Sequence, residues 1–437
     1  TYPEYQKIKL QDQTRSLKEI QQFLSKESNS QNKKALLEYF VGDNNIYAFL
    51  ITSNNIELKS IPFNSYLKEQ IFDLRKSVFQ IDTSCHDDQF NKYVYNSRKL
   101  YQKLFLKPFG LESFQNIQNL YIVPDGSLYQ IPFEVFLTQE PDDDEIEEMR
   151  YRTLSYLLNK HTISYAYSAT LLLESLKKRS KNIPTYKGNL LGFAPSFESS
   201  YQLTSSKMPK REGMRNCKGD SLKALPSSRL EVNTIFQIIG GQIFLQTDAN
   251  KTAFLEEARH YQILHLSTHA CMDEGDFESS RIYFADQALL SKELYPLQLN
   301  AELAVLSACE TGTGPIQQGE GVMSLARAFL YAGCPSVISS LWSVNDEKTS
   351  ELMSGFYTNL KEGQTKSSAL QNAKISYIND KKRKNENAHP FYWAAFVQIG
   401  NPNSIVLEGN RWKFWGMIDC FGFWDDFILL LLYQKTF

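Results

Sequence analysis

The sequence predicts an α/β protein built on a largely parallel β-sheet with helices on both faces. Two observations lead to this fold class. From about residue 186 onward, short apolar runs such as "QILHLS" and "LAVLSA" alternate with segments of helical periodicity. Strands that are apolar on both sides are typical of parallel sheets covered by helices. A chain of 437 residues, of which 42% are hydrophobic and 22% charged, is also long enough to bury such a sheet.

The first part of the chain follows a different pattern. Residues 1–34 mix charged and apolar residues at helical spacing and predict a helical lead-in. Residues 35–61 contain two aromatic and β-branched runs broken by turn residues, which predicts a β-meander. Residues 63–107 carry apolar residues three or four positions apart, which predicts one or two long helices. "NLYIVPDGSLYQIPFEVF" then predicts a strand, a turn and a second apolar segment.

The second part shows the strand–helix alternation. It begins with the short strand "GNLLGFAP", followed by the polar, non-periodic segment 197–222, which predicts a mobile loop. Strands "QIFLQ", "QILHLS", "LAVLSA", "SVISSLW" and "AAFVQIG" then alternate with helices. The predicted helices of this part are 227–239, 250–259, 321–332, 346–361 and 365–379.

These patterns divide the chain into the lead-in, a first subdomain over 35–185, a second over 186–405 and a tail over 406–437. The tail is rich in tryptophan and contains the apolar run Phe427–Tyr433. That run is far shorter than the roughly twenty residues that span a bilayer, so no transmembrane segment is expected. We interpret the tail as a docking surface, with an interfacial membrane contact as the alternative.

Charge and cysteine usage exclude several classes of function. The net charge of −2 gives no basic field for nucleic acid. The basic runs 177–179 and 381–384 contain no interleaved aromatic residues, so we assign them to solvated surface. The six cysteines are irregularly spaced and form no CxxC pair, which predicts neither a secreted disulfide framework nor structural zinc. With no signal peptide pattern, a reduced, cytoplasmic location is expected.

Two predicted strands end in reactive residues. "ILHLS" runs into His269, and "AVLSA" runs into Cys309. In open parallel sheets the functional groups lie beyond the carboxyl ends of the strands, so both side chains reach one rim if the strands are neighbours. A thiolate attacks carbonyl carbons, and an imidazole exchanges the protons. The small residues 311–314 would keep this rim open for a substrate backbone. The residues alone leave a second interpretation open, a core cysteine and a histidine that caps its strand.

Other sites that these segments suggest fail on geometry. In "HLSTH" the two histidines, His265 and His269, are four positions apart, which suits a metal only on a helix. On a strand they would lie roughly 13 Å apart, so we assign His265 to a satisfied strand position. In "GTGPIQQGEG", Glu320 stands where a phosphate loop needs lysine, and Gln317 stands where a dinucleotide loop needs glycine. The serine hydrolase motif GxSxG is absent from the sequence.

Four segments together resemble the signature blocks of CHAT domains, in the order of that family. They are "NLYIVPDGSLYQIPFEVF", "YQILHLSTHA", "AVLSACETGTGPIQQGEGVMSLARAFLYAGCPSVISSLWSVND" and "HPFYWAAFVQIGNP". CHAT domains are caspase-like cysteine peptidases, related to caspases, separases and gingipains. The resemblance runs from about residue 35 to 402. It implies a caspase-like parallel sheet with mixed edges, preceded by a degenerate, non-catalytic caspase-like subdomain.

The resemblance also implies roles for single residues. His269 matches the general base and acid, and Cys309 in "SACE" matches the nucleophile. The backbone N–H groups of Ala270 and Cys309 would form the oxyanion hole. Family members usually have glycine where Ala270 stands, and alanine still donates its N–H unless the position needs a positive φ.

"SSLWSVND" resembles the strand and turn that line the substrate cleft of this group. An extended substrate would add to that strand edge, with Trp342 as an apolar wall or, alternatively, as core packing. Asp346 is the candidate acid for a basic side chain before the scissile bond, or alternatively the N-cap of a helix over 347–361. Ser343 stands where separase-like sequences often have aspartate.

The implied function is that of a cysteine endopeptidase that cleaves a protein target through an acyl-enzyme, without a cofactor. CHAT domains commonly follow tetratricopeptide repeats, so we expect regulation by an upstream repeat region or a partner, the more so because the chain begins at Thr1. Residues 197–222 are a candidate self-cleavage loop. By analogy alone, bacterial defence or cell death would suit the family. The alternative is a catalytically silent caspase-like scaffold that only binds partners.

Overall fold

The computed structural model describes most of the chain, which folds around one large β-sheet. The described residues are 14–26, 33–81, 86–177, 185–197, 222, 224–273, 276–308, 311–314, 316–317, 321–343, 346–380 and 388–407. Eleven strands of this part form one continuous sheet, and five short strands form two small sheets. In chain order the strands are β1 (Lys33–Val41), β2 (Asn45–Thr52), β3 (Ile56–Pro62), β4 (Ile117–Val123), β5 (Thr162–Tyr165), β6 (Gly188–Pro195), β7 (Gly241–Gln246), β8 (Tyr261–Ser267), β9 (Ala270–Cys271), β10 (Arg281–Tyr283), β11 (Ala288–Leu290), β12 (Leu303–Ser307), β13 (Ile316–Gln317), β14 (Gly321–Val322), β15 (Ser336–Ser340) and β16 (Phe396–Gly400).

The order of strands across the large sheet is β3-β2-β1-β4-β5-β16-β15-β12-β8-β6-β7. β1, β2 and β3 form the predicted antiparallel meander. All neighbours from β1 to β5, and all from β15 to β7, are parallel. Between these two sets, β16 is parallel to β5 and antiparallel to β15. The two sets of strands therefore run in opposite directions, and their carboxyl ends lie at opposite edges of the sheet.

Helices cover this sheet and account for the predicted helical segments. In chain order they are α1 (Leu17–Ser25), α2 (Ser65–Phe79), α3 (His86–Tyr101), α4 (Lys107–Phe109), α5 (Asp143–Glu147), α6 (Ala169–Lys177), α7 (Pro226–Ile239), α8 (Lys251–Glu257), α9 (Ser291–Leu294), α10 (Leu325–Tyr331), α11 (Asp346–Lys361), α12 (Lys366–Asn379) and α13 (Pro390–Trp393). The mixed α/β fold with a mostly parallel sheet is therefore confirmed.

Polar caps fix where two of these helices begin. Ser16 and Glu19 form a capping box at the start of α1, since each side chain accepts a hydrogen bond from the other residue's backbone N–H. Ser324 caps α10 by accepting from the backbone N–H of Arg327. The helix predicted over 321–332 is therefore shorter than expected, because its first residues pair in β14 and the cap follows them.

The two sets of strands share one sheet and one core. Ile399 of β16 pairs with Tyr165 of β5 and joins the sets edge to edge. A single large cluster of buried side chains includes Leu37 of β1 and Val305 of β12. The predicted boundary at residue 185 lies in the chain between β5 and β6, and both the sheet and the core continue across it.

Some predicted features lie outside the described residues. Residues 408–437, nearly all of the predicted tail, belong to this group, and so do residues 198–221 of the predicted loop. Within the part of the chain that the structure describes, no helix has both the length and the apolar character needed to cross a bilayer.

Candidate active site

The two strands that end in reactive residues are neighbours. β8 and β12 are parallel and adjacent, and Ser267 at the end of β8 pairs with Ser307 at the end of β12. His269 follows Ser267 by two positions, and Cys309 follows Ser307 by two positions. The two strands are therefore neighbours, as required for His269 and Cys309 to reach one rim. Cys309 itself lies outside the described residues, together with Glu310.

The chain is anchored on both sides of Cys309. Before it, the carbonyl oxygen of Ala308 accepts a hydrogen bond of 2.5 Å from the Ser340 hydroxyl. After it, the hydroxyl oxygen of Thr311 accepts a hydrogen bond of 3.2 Å from the Ser340 N–H. The Gly312 N–H donates to the Ser340 carbonyl oxygen at 2.8 Å. One residue of β15 therefore holds both flanks of the predicted nucleophile.

Two glycines after Cys309 are needed for the packing of this loop. A Cβ atom on Gly312 would lie 2.8 Å from the Ser339 hydroxyl oxygen. A Cβ atom on Gly314 would lie 1.9 Å from the Met323 carbonyl oxygen. Close approach of the backbone to β15 and to Met323 therefore requires the small size of these two glycines, and the expectation that residues 311–314 keep the rim open for a substrate stays a prediction.

His269 is held at the rim by backbone contacts on two sides. The Thr268 N–H donates to the Ser307 carbonyl oxygen at 3.3 Å, and the Thr268 hydroxyl donates to the Tyr283 carbonyl oxygen at 2.6 Å. The Tyr283 N–H in turn donates to the His269 carbonyl oxygen at 3.0 Å. The His269 ring is partly exposed and lies 4.9 Å from the ring of Phe197, measured between centroids. The imidazole is therefore fixed at the carboxyl edge of β8 while remaining accessible.

Ala270 occupies its position without backbone strain. It pairs with Ile282 in the small sheet formed by β9, β10 and β11. Its φ is negative, so the alanine found here in place of glycine imposes no left-handed conformation. Cys271 follows in the same strand and is disulfide-bonded, which the irregular cysteine spacing did not predict.

A buried polar network lies behind His269. The Glu231 carboxylate of α7 accepts hydrogen bonds from His265 Nε2 at 2.9 Å and from the Ser267 hydroxyl at 3.1 Å. The other ring nitrogen of His265 lies 3.0 Å from the Tyr357 hydroxyl. His265 has no exposed surface, so its assignment as a satisfied strand histidine is confirmed. Sequence analysis missed Glu231, although its place among the apolar positions of helix 227–239 was a signal of burial.

Asp346 lies close to this network and to His269. It is the first residue of α11, which has the predicted bounds 346–361, so Asp346 lies inside the helix and not at the N-cap position before a helix over 347–361. Burial raises the pKa of the Asp346 carboxyl above its ordinary value; the negative charge of Glu231 raises it further, and the charge of His269 opposes both. Asp346, Glu231 and His269 therefore interact electrostatically although they come from three different elements.

Trp342 is placed in the interior. Its side chain is 2% exposed, and its ring lies 4.5 Å from that of Phe79 between centroids. Its indole N–H donates to the Phe391 carbonyl oxygen at 3.0 Å. Of the two interpretations given to Trp342, core packing is the one that this position favours.

Both edges of β15 are occupied. β12 pairs with one side and β16 with the other, and the Leu341 N–H donates to the Ala395 carbonyl oxygen at 2.9 Å. The sequence suggested that an extended substrate adds to this strand. That prediction is wrong for β15 itself, because both of its edges are already paired. Of the described residues in this segment, Trp342, the exposed Ser343 and Asp346 lie beyond these ladders.

Comparison with known proteins assigns the family. The sequence matches the CHAT domain over residues 95–401. The chain belongs to the CHAT domain family. This CHAT domain is 24% identical over 334 residues to human tetratricopeptide repeat protein 28, and 23% identical over 337 residues to the mouse protein. The alignments cover 66% of this chain but 12% of each relative, so the chain spans about an eighth of their length.

Solved structures resemble the CHAT domain in fold. The separase of a Saccharomyces cerevisiae separase–securin complex superposes with a TM-score of 0.55 at 10% identity, covering 89% of this chain and 31% of that one. The Arg-specific cysteine proteinase gingipain R gives a TM-score of 0.42 at 13% identity, covering 78% and 75%. The likeness to separase, together with the CHAT match, confirms the caspase-like fold implied by the sequence blocks.

Proposed function

We propose that this CHAT domain is a cysteine endopeptidase that cleaves a protein target, with Cys309 as nucleophile and His269 as general base and acid. One observation carries the proposal. β8 and β12 are adjacent and parallel with Ser267 paired to Ser307, and each strand is followed by one of these residues at the same offset. The anchoring of Ala308 and Thr311 to Ser340 supports it further, because a nucleophile needs a fixed position.

The proposed reaction has two halves. The thiolate of Cys309 attacks the scissile carbonyl carbon, and the backbone N–H groups of Ala270 and Cys309 stabilise the resulting oxyanion. The C–N bond then breaks as His269 protonates the departing amine, which leaves a thioester. Water attacks this thioester while His269 takes its proton, and the C–S bond breaks to release the acid and the free thiol. The proposed chemistry involves no cofactor.

Asp346 is the proposed acid for a basic side chain before the scissile bond. Its position supports this role, because Asp346 lines the same small cavity as Ser267 and Thr268, the two residues before His269. For Trp342 we propose an indirect role, holding the segment up to Ser343 against the core so that this segment borders the substrate cleft.

The amino-terminal half, residues 35–185, is proposed to support the catalytic half without catalysing. Its parallel strands β1, β4 and β5 end at the opposite edge of the sheet from His269, which removes their carboxyl ends from the site. The name of the human and mouse relatives supports the further proposal that tetratricopeptide repeats or another protein partner regulate the domain. A cytoplasmic location and a role in defence or cell death are proposals by analogy with the family.

The test is covalent capture by peptide acyloxymethyl ketones, in the presence of a thiol reductant because Cys271 is disulfide-bonded. The wild-type protein should be labelled at Cys309 and should cleave a peptide library, whereas Cys309→Ala and His269→Ala should do neither. Cys334→Ala is the matched control, since Cys334 is a buried cysteine that precedes β15 at its amino end, away from the rim. Absence of labelling with and without an upstream repeat region would instead support the silent scaffold.

A further inference from the structure

Three lysines follow one another along the helix that runs from α3 into α4. Lys99, Lys103 and Lys107 are four positions apart in sequence. A π-helical turn over Gln102–Leu106 joins α3 to α4, and turns of this kind are frequent at functional sites. Residues four apart on a helix are neighbours on its surface, and these three span about 12 Å of its length. We call this set the lysine stripe.

The lysine stripe places like charges side by side. Among the residues that the structure describes, none of its three lysines forms an ion pair, whereas Lys92 of the same helix pairs with Asp88 at 2.7 Å. Partial burial lowers the pKa of Lys103, and the charges of Lys107 and Lys99 lower it further. The lysines therefore repel one another, and an anion bound across them would relieve that repulsion.

Two tyrosines hold the stripe in place. Lys103 Nζ lies 4.2 Å from the centre of the Tyr66 ring, and Lys99 Nζ lies 5.5 Å from the centre of the Tyr95 ring. These cation–π contacts order the ammonium groups without neutralising their charge. Tyr66 and Tyr95 are themselves 46% and 49% exposed. The two ammonium groups are therefore positioned at the surface in advance, which reduces the entropy lost when a ligand binds.

Hydrogen-bond donors outnumber acceptors at this surface. The hydroxyl oxygens of Tyr66 and Tyr95 are 2.8 Å apart, so one hydroxyl donates to the other, which leaves the second hydrogen for another acceptor. Lys103 Nζ donates one of its hydrogens to Gln70 Oε1 at 2.6 Å. The buried Nε2 of Gln70 has no hydrogen-bond partner among the described residues. An excess of O–H and N–H groups favours a ligand rich in acceptors, such as a carboxylate or a phosphate.

Acidic residues limit the length of this positive surface. Asp87 and Asp88 lie in the first turn of α3, and Glu112 begins the short helical turn that follows α4. A nucleic acid strand carries a negative charge at every step and would extend toward these carboxylates. The net charge of −2 also gives no long-range attraction for such a polyanion. A peptide can confine its acidic residues to the length of the stripe, so a short acidic segment fits this pattern better.

We infer that the lysine stripe, with Tyr66 and Tyr95, binds an extended acidic peptide segment of a partner protein. In an extended chain, alternate side chains lie on one side and are about 6.6 Å apart. Successive lysines of the stripe are about 6 Å apart along the helix. Carboxylates at alternate positions of the segment therefore face successive lysines, and the free tyrosine hydroxyl donates to one of them.

The lysine stripe lies away from the segment that borders the proposed cleft. Trp342 of that segment contacts Phe79 at the carboxyl end of α2, whereas Tyr66 lies near the amino end of the same helix. At 1.5 Å per residue, the helix places Tyr66 and Phe79 about 20 Å apart. Binding of the acidic segment can therefore be measured independently of the proposed peptidase reaction.

The test is fluorescence anisotropy with a labelled decapeptide of alternating serine and glutamate. Its counterpart, with glutamine in place of glutamate, is the neutral probe. Cys309→Ala is the protein in these measurements, so that cleavage cannot consume either probe. The acidic peptide should bind at least about tenfold more tightly than the neutral one at about 0.05 M salt. That preference should shrink at about 0.5 M salt, because exposed charges are then screened.

Single substitutions locate the binding surface. Lys99→Gln, Lys103→Gln and Lys107→Gln should each weaken binding of the acidic peptide about two- to fivefold, the range of an exposed ion pair. The triple variant should lose the preference for the acidic peptide altogether. Lys92→Gln is the matched control and should leave the affinity unchanged, since Lys92 already pairs with Asp88. Equal affinities of the triple variant and its parent would overturn the inference.

Two further probes separate an acidic peptide from other anionic partners. A single-stranded DNA of ten nucleotides and vesicles of phosphatidylserine should each bind more weakly than the acidic peptide. Tighter binding of either probe that the triple variant abolishes would contradict the assignment to a peptide.

Thermal unfolding tests the repulsion within the stripe. Lys107→Gln should raise the melting temperature of the free protein while weakening peptide binding, because it removes one like charge from the helix surface. A lower melting temperature would show that this lysine serves the helix end instead, and would contradict its assignment to a binding surface.

Discussion

At the scale of single residues, the loop after Cys309 depends on two glycines that touch neighbouring backbone. Gly314 is the tighter of the two, because its missing side chain is what allows the Met323 carbonyl group to approach. The same threonine and glycine residues look, in the sequence, like space for a ligand. In the folded chain they hold the loop against its neighbours.

Replacing Gly314 by alanine should therefore lower the free energy of unfolding by about 1–3 kcal/mol, the usual cost of forcing atoms into a packed site. Urea denaturation measures this change. Gly355→Ala is the matched control, because a Cβ atom there would make an ordinary 3.5 Å contact with the Ala373 Cβ. Gly355 lies within α11, where alanine should stabilise by about 0.5–1 kcal/mol. Equal effects of the two substitutions would contradict the packing described for Gly314.

Asp346 should make stability depend on pH in a defined direction. Its pKa is raised in the folded state, mainly by burial, so the unfolded chain loses this proton at lower pH than the folded chain does. Stability from this group is therefore greatest at low pH and declines as pH rises from about 4, the ordinary value for aspartate, through the raised value.

Urea unfolding across that pH range tests the sign. The free energy of unfolding of Asp346→Asn minus that of wild type should increase as pH rises, because the amide removes a contribution that declines with pH. Asp88→Asn, on the exposed first turn of α3, is the control. A wild-type profile that rises more steeply than that of Asp346→Asn would contradict the direction assigned to this pKa.

At the scale of elements, α12 is fastened to the amino-terminal half by a buried ion pair. Lys374 Nζ lies 3.0 Å from the Glu134 carboxylate, and both residues are at most 4% exposed. The Tyr165 hydroxyl also donates to Glu134. The side chain of Gln371, on the same helix, donates to the carbonyl oxygens of Leu158 and His161. This helix therefore links the two halves through one buried ion pair and two partly buried hydrogen bonds.

Lys374→Met should destabilise the fold by about 3–5 kcal/mol, because it leaves the Glu134 carboxylate buried without its cation. Adding Glu134→Gln to Lys374→Met should recover part of that loss, since the uncompensated charge is then gone. Urea denaturation of both single variants and the double variant measures the coupling. Lys92→Met, which breaks the exposed pair with Asp88, should cost at most about 1 kcal/mol. Additive effects at Lys374 and Glu134 would contradict a direct pair.

At the scale of the whole molecule, the two halves form one body around a shared sheet. β16 belongs in sequence to the carboxyl-terminal half but pairs with β5 of the other half. Trp393 packs against Tyr156 with ring centroids 5.0 Å apart, and Phe79 packs against Trp342. A core shared in this way couples the stability of one half to that of the other.

The two halves should therefore unfold in one cooperative transition. Amide hydrogen exchange should give the same opening free energy for Leu37 in β1 and Val305 in β12, both of which are buried in the shared core. Tryptophan fluorescence and far-ultraviolet circular dichroism should give coincident urea transitions. Two separated transitions, or a β1 that exchanges through an opening well below the global one, would contradict the coupling.

The sequence by itself determined the local elements and the chemistry at two strand ends. The meander of β1–β3, the helix α11 and the strands β8 and β12 follow from the side-chain periods of two and 3.6 residues, which contiguous residues carry. The positions of His269 and Cys309 just beyond their strands follow from the same local pattern. The family blocks added the pairing of these residues as a hypothesis.

Tertiary structure alone decided which elements meet. Glu231 accepts a hydrogen bond from Ser267, 36 positions away, and the cavity between them appears only when α7, α11 and two strands converge. The opposite directions of the two strand sets, the burial of Trp342 and the tight fit of Gly314 are likewise contacts between distant segments. A local pattern records whether a residue favours burial, but the partner it is buried against is set by strand order and packing, which no contiguous stretch of this chain encodes.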